Sequence, residues 1–229
     1  MKQFILVIIS IIILLFLYSF SIMKKQQKDF TIEELRKIYS SKNIANWPSP
    51  FIDKSVEEEY IEIGVLSKVQ YPKNNPYSRK KAALGKKLFF DPNLSKSGQI
   101  SCASCHEPQL GWGDGKRISN GDKRLQGKRN SLTIVNIGFA KTLFWDGRSK
   151  SLEDQVHFPL EDQIEMNTSK EDAVKNISKN KEYVTAFKEV FGDAKITFNN
   201  IAKAIATYER TVVSNKSKFD RFVLGESDI

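Results

Sequence analysis

The chain has 229 residues, with 36 Lys+Arg against 27 Asp+Glu and a formal charge of +9. That length suits one or two domains with a buried core. Charge of this sign invites a nucleic-acid reading, but no helix-turn-helix, zinc finger or aromatic-interleaved strand accompanies it.

Met1-Lys2 precede an almost wholly apolar run from Phe4 to Met23, broken only by Ser10, Tyr18, Ser19 and Ser21, and Lys24, Lys25 and Lys28 follow. Such a run is long for a signal-peptide core and about right for one membrane-spanning helix. Ser19-Phe20-Ser21 only loosely satisfies a cleavage site, so residues 1–23 are a cleaved signal or an uncleaved anchor. Thr31-x-x-Glu34 predicts a capping box opening a helix through about Tyr39. Pro48 and Pro50 mark an extended linker over residues 43–55, and Pro72, Asn74, Asn75 and Pro76 a further loop. Ala82, Ala83, Leu84, Leu88 and Phe89 recur at helical spacing and predict a helix over 77–89. Asp91-Pro92-Asn93 ends it, and Ser97-Gly98 turns the chain onward.

Cys102-Ala103-Ser104-Cys105-His106 then follows. Two thiols two residues apart, with a histidine directly after, are the attachment pattern of a c-type haem. Each sulfur adds across one haem vinyl group, and the histidine reaches the iron from one face. No other cysteine in the chain competes for the role. A redox dithiol would sit near a βαβ pattern, which is absent. Tetrahedral zinc needs a fourth ligand, and only His157 remains, at no usual spacing. Because c-type haem is attached outside the inner membrane, segment 1–23 delivers the rest of the chain there as signal or as anchor. Lys24, Lys25 and Lys28 oppose that orientation under the positive-inside tendency; the haem motif outweighs them.

Gly111 to Arg129 is rich in glycine and charge without an apolar period, and is expected to be a long ordered loop over the haem. Two basic clusters stand out: Arg79, Lys80, Lys81, Lys86 and Lys87, then Lys116, Arg117, Lys123, Arg124, Lys128 and Arg129. They form a solvated face or steer an acidic electron-donor protein toward the haem edge. Leu132 to Phe139 is a short strand, a buried loop or a helix. Ser151 starts a helix, Thr168-x-x-Glu171 caps another to about Ile177, and Glu182 to Phe191 forms the next, stopped by Gly192. Asn199 to Val213 is the strongest helix, with Ile201, Ala204, Ile205, Tyr208 and Val212 on one face. Phe219 to Leu224 is a last amphipathic turn. The expectation is an all-α, c-type-cytochrome-like haem domain with long ordered loops over residues 70–229, behind a tether at 24–69 and the N-terminal helix.

The second face of the iron is open in this reading. Beyond the motif, His157, Met166 and Met23 are the strong-ligand candidates, and His106/Met166 ligation would make a plain electron carrier. Alternatively the sixth position stays open for a small oxidant beneath Asp154, Gln155 and Glu165.

Leu84-Gly-Lys-Lys-Leu-Phe-Phe-Asp-Pro-Asn-Leu-Ser95 ahead of the haem motif resembles the first domain of bacterial di-haem cytochrome c peroxidases and their MauG-like relatives. So do Arg129-Asn130-Ser131, Phe144-Trp145-Asp146-Gly147-Arg148, Leu152-Glu153-Asp154-Gln155, Ile164-Glu165-Met166, Tyr208-Glu209-Arg210-Thr211 and Phe219-Asp220-Arg221, in the family's order. The resemblance implies a peroxidatic haem with His106 as its proximal ligand. Glu165 then matches the acid/base of peroxide cleavage, otherwise a solvated helix-end acid. Gln155 matches the residue that holds the oxidant, otherwise a surface amide. Trp145 matches the tryptophan between the two haems, otherwise a core aromatic, and Asn130 matches a calcium ligand between the haem domains. The implied reaction is two-electron reduction of hydrogen peroxide to water, with electrons from a small cytochrome or cupredoxin. A MauG-like oxidation of a protein side chain stays open, as does a homodimer.

Two departures matter. Asp122, in Asn120-Gly121-Asp122-Lys123, stands where many members have a histidine in the sixth position of the resting haem. An aspartate between lysines is expected to face water, leaving an open or water-bound haem that needs no reductive activation. The chain also stops at Ile229, near where the family's second haem domain begins. Truncation is the favoured expectation, a partner haem on another polypeptide the alternative.

Overall fold

The computed structural model describes residues 29–226 apart from 62, 193 and 194. The expected signal or membrane helix at 1–23, with Met23, lies outside the described residues. Among the described residues no helix is long and apolar enough to cross a membrane. Their structure is mostly helical, and the strand-type pairings are three isolated bridges.

Two compact units form, divided near residues 65 and 216. The smaller holds α1 (Ile32–Tyr39) and α8 (Lys218–Val223). Thr31 caps α1 as its sequence predicts: its hydroxyl accepts from the Glu34 amide at 3.2 Å, and the Glu34 carboxylate accepts from the Thr31 amide at 2.9 Å. Trp47 joins the two helices, edge-on to Tyr39 at 5.1 Å and tilted against Phe219 at 6.0 Å.

The larger unit, 66–215, carries α2 (Arg79–Phe89), α3 (Leu152–Gln155), α4 (His157–Glu161), α5 (Lys170–Ser178), α6 (Lys181–Phe191) and α7 (Phe198–Glu209). Ser78, Ser151, Ser169, Asn180 and Thr197 each cap their helix with a side-chain oxygen, meeting backbone donors that the first turn leaves unpaired. The predicted cap of α5 is one residue off. Thr168 is drawn inside because its amide donates to the Leu160 carbonyl at 2.9 Å, and Ser169 takes over the cap. Leu132 to Phe139 forms no strand; it ends in a single 3-10 turn, Ile137–Phe139.

Helix α7 is the axis of this unit. Its predicted face is buried, but so are Ala202, Ala206 and Thr207 on other sides, so the helix is enclosed rather than amphipathic. Leu84, Leu88 and Phe89 of α2 meet Ile201, Ala204, Ile205 and Tyr208 in the main core, while Ala206 meets Leu143 and Leu152 in a second cluster. The helix ends at Glu209, short of the predicted Val213. Beyond it the chain turns away, and the Val212 carbonyl accepts from the Asn136 amide at 2.8 Å.

Two close fits hold α7. At Gly85 of α2 an added Cβ would collide with the Ala204 backbone carbonyl. At the far end Arg210 donates both terminal nitrogens to Glu153, at 2.7 and 2.9 Å. Asn75, fully buried, donates to the same carboxylate at 2.6 Å and accepts from Lys81 Nζ at 2.8 Å. Lys81, read in the sequence as part of a basic cluster, is therefore an interior group. In that cluster Lys80 pairs with Glu189 at 3.1 Å and Lys87 with Glu182 at 2.6 Å, acids that α6 brings across.

Gly85→Ala should destabilise the fold by roughly 1–3 kcal/mol, although alanine alone favours a helix by about 1 kcal/mol; urea denaturation checks the sign. Burial would raise the Glu153 carboxyl, but Arg210 and Asn75 outweigh it and hold it below its ordinary range. Its contribution is therefore present above the unfolded pKa and lost as pH falls through the lowered folded value. Arg210→Met should cost about 3–5 kcal/mol and invert this dependence. With burial dominant, Glu153 would weaken the fold as pH rises past the carboxylate range, visible in denaturation curves at several pH values.

Candidate haem site

The motif residues form one tight turn. Cys102–Ser104 is a 3-10 helix, and the amides of Cys105 and His106 both donate to the Cys102 carbonyl, at 3.2 and 3.1 Å. Residues 107–113 fold back on it: the Glu107 amide donates to the Gly113 carbonyl and the Trp112 amide to the Glu107 carbonyl, each at 2.9 Å. This brings the Trp112 carbonyl to 3.1 Å from His106 Nδ1. Ser131 Oγ donates to the Cys105 carbonyl at 2.8 Å and lies 3.4 Å from the same ring nitrogen. A proton on Nδ1, given to that carbonyl, leaves Nε2 as the ligating nitrogen. Trp112 holds a φ of +63°, a rare region for a bulky residue. Its ring is pinned by Phe89 at 6.1 Å and Tyr208 at 6.2 Å.

These groups open onto a cavity of about 410 Å³ lined by Cys102, Cys105 and His106 on one side. Three features fit a covalently held haem. Both thiols and the histidine line the cavity together, the Trp112 carbonyl engages the histidine at Nδ1, and the buried Glu209 Oε2 has no hydrogen-bond partner among the described residues. Burial pushes both thiols above their ordinary values, the opposite of what a redox dithiol needs. No group of three or more His, Cys, Asp or Glu among the described residues is placed to hold a metal ion.

Gln155, Trp145, Glu165, Met166 and Asn130 all line this cavity, from positions 24 or more residues beyond the motif. Gln155 ends α3, the helix that Arg210 holds through Glu153. Neither Gln155 nor Glu165 has a side-chain hydrogen bond among the described residues, so both polar ends stay free. Burial raises the Glu165 carboxyl, Asp162 adds to this and Arg148 opposes it. Glu165 is nonetheless an exposed residue that lines the cavity. Trp145 is no core aromatic: it is 62% exposed on a turn closed by the Leu143–Ser149 bridge, and its Nε1 donates to the Asn130 carbonyl at 3.3 Å. The Arg148 guanidinium, 3.6 Å above the Phe144 ring, braces that turn. Asn130 commits its amide to the Lys116 carbonyl at 2.5 Å, leaving Oδ1 as an acceptor. Met166 is 4% exposed and belongs to the main core while bordering the cavity. His157 does not line the cavity; it stacks on Phe158 at 4.1 Å and sits 3.7 Å from Asp154. Asp154, also outside, accepts from Ser149 Oγ at 2.7 Å.

Asp122 is the main correction. It does not face water: it is 1% exposed, accepts from Asn167 Nδ2 at 2.9 Å, and its amide donates to the Glu165 carbonyl at 2.7 Å. Ser97 and Asn167 hold its carboxyl below the ordinary value. A Cβ on Gly121 would collide with the Ile164 carbonyl. The glycine-rich loop is thus strapped to the backbone of Ile164-Glu165, a positioning role that charge pattern could not reveal.

A family model described as di-haem cytochrome c peroxidase matches residues 79–228. The chain belongs to that family. It is 44% identical over 165 residues to cytochrome-c peroxidase IdrP1 of Pseudomonas sp. strain SCT, covering 71% of this chain and 44% of that protein. It is 40% identical over 159 residues to the methylamine utilization protein MauG of Methylorubrum extorquens, covering 69% and 45%. A solved MauG-like protein associated with microbial copper homeostasis superposes with a TM-score of 0.66 at 32% identity, covering 72% of this chain and 49% of that one. The chain thus spans less than half the length of these relatives. Membership accounts for the cavity: the family carries covalently bound c-type haem, and Cys102, Cys105 and His106 all line this cavity.

Gly121→Ala should leave haem attachment intact, because nothing in the Cys102–His106 turn changes, yet displace Glu165. Hydrogen cyanide must surrender its proton beside the iron, so its association should slow on the order of 10²-fold for about 1 Å of displacement, measured by stopped-flow absorbance.

Proposed function

We propose that this chain is the peroxidatic half of a cytochrome c peroxidase, reducing hydrogen peroxide to water with electrons from a small cytochrome or cupredoxin. The observation that carries it is the carboxyl of Glu165, exposed and without a side-chain hydrogen bond among the described residues, lining one cavity with the amide of Gln155 and with His106, which lies far from both in sequence. A bound haem supplies the redox-active iron. The remaining work belongs to side chains. Gln155 orients the oxidant through its amide. Glu165 accepts the proton of one peroxide oxygen and returns it to the departing oxygen, and the Gly121-Asp122 strap keeps that carboxyl in place. Trp145, exposed beside the cavity, offers a π-system for electron entry. Asn130 Oδ1 contributes one oxygen to a calcium site completed by other groups.

The domain organisation is proposed as a tether at 24–69 before a haem domain at 70–229, exported to the periplasmic side by segment 1–23. Among the described residues Lys116, Arg117, Lys123, Arg124 and Lys128 have no ion pair and are exposed, while Arg129 pairs with Asp146 at 3.3 Å. That surface suits steering of an acidic donor. A MauG-like oxidation of a protein side chain is the second reading, favoured by the likeness to MauG itself.

Glu165→Gln should lower the rate of reaction with peroxide by about 10²–10⁴-fold. In the unaltered protein the base form is required, so the rate should fall as pH drops through a pKa held above the ordinary carboxylate range, and the variant should lose that limb. Unchanged stopped-flow rates would remove Glu165 from the chemistry.

With Asp122 tied into the protein and His157 outside the cavity wall, the resting ferric haem should be high-spin with an open or water-bound face. A purely low-spin bis-histidine spectrum would contradict this. A near-infrared methionine-to-iron band with no peroxide reaction would instead identify a His106/Met166 electron carrier.

A further inference from the structure

Glu209 takes no part in the peroxide chemistry, yet it is the most unusual acid in the cavity wall. It is the last residue of α7, 6% exposed, and it lines the cavity one turn beyond Ile205. Its Oε2 has no hydrogen-bond partner among the described residues. The neighbouring cation does not serve it, because Arg210 commits both terminal nitrogens to Glu153. The titratable groups that face it are Arg210 and Tyr208 on its own segment, Glu153 from α3, and the Cys102 thiol across the cavity. Thioether formation removes the thiol, leaving one cation already shared with another carboxylate. Burial pushes the Glu209 carboxyl up to about 8, with Arg210 opposing and Glu153 adding to the rise. A lone carboxylate in such a place is costly, and a proton relieves the cost.

Haem in this cavity adds a charge that changes by one at each electron transfer. Low-dielectric surroundings make a neighbouring carboxyl sensitive to that change. We propose that Glu209 is the redox-linked proton site of the haem pocket. When one electron enters from a one-electron donor and ferric iron becomes ferrous, the Glu209 carboxylate takes one proton from solvent and becomes the neutral acid. On oxidation the electron leaves to the acceptor and the proton returns to solvent. The pocket's net charge is then the same in both states, which eases electron entry into a buried site. The inference rests on the haem attachment and is independent of the peroxide reaction.

The test is a spectroelectrochemical titration of the haem-loaded protein without peroxide, between about pH 7 and 9. The midpoint potential should fall as pH rises, approaching the one-proton, one-electron limit of about 59 mV per tenfold change in proton activity. Glu209→Gln should be flat over that window, while Glu165→Gln should keep the slope. Redox-difference infrared spectra of the unaltered protein should show a protonated-carboxyl carbonyl band appearing on reduction. A flat potential in the unaltered protein overturns the proposal, as does a slope without that band or a slope that survives in Glu209→Gln. The first two outcomes need no variant, so failure of Glu209→Gln to fold leaves the question decidable. Because no peroxide is present, failure here is separate from failure of Glu165 as the catalytic base.

Discussion

The close crossing of α2 and α7 at Gly85 and Ala204 is the constraint on which the site depends. Only a residue without a Cβ lets the α2 backbone lie against the Ala204 carbonyl. That contact sets Phe89 beside Tyr208, with ring centroids 5.4 Å apart, and the pair confines Trp112. Trp112 in turn presents the carbonyl that orients His106. A packing requirement between two helices thus reaches the tautomer of His106 through three contacts.

Gln155 and Glu165, which line the same cavity, are positioned by polar groups. Arg210 and Asn75 converge on Glu153 and fix α3, which ends in Gln155. Gly121 and Asp122 hold Glu165 through its own backbone. Neither Gln155 nor Glu165 is held by its functional end, so each polar tip is free for a ligand while its main chain is not. Positioning through the backbone reconciles rigidity with availability.

Several elements were legible because their causes are local. The caps at Thr31 and Ser151 and the helix periodicity of α2 and α7 depend on neighbours within a few residues. The family tags also marked Gln155, Trp145, Glu165 and Asn130, and all four line one cavity. Errors arose where a distant partner decided. Asp122 looks solvated between Lys123 and the loop glycines, but Asn167 and the Glu165 carbonyl, more than 40 positions away, take it inside. Lys81 looks like part of a basic face until Asn75 and the Pro76 carbonyl enclose its ammonium group. For Trp145 the core-aromatic alternative to the family role is removed by a local feature, the Leu143–Ser149 turn that carries it outward.

By itself the sequence determined that this chain holds a haem, since two thiols and a histidine at that spacing have one good use and no competing cysteines. It also determined the helical character, because capping and period are properties of contiguous residues. Only the tertiary structure decided which acids matter and in what state. Glu165 opens into the cavity, Asp122 is a strap, and Glu209 is buried with its neighbouring arginine already engaged. Charge state depends on burial and on partners brought from elsewhere in the chain, and neither is written in the residues beside it.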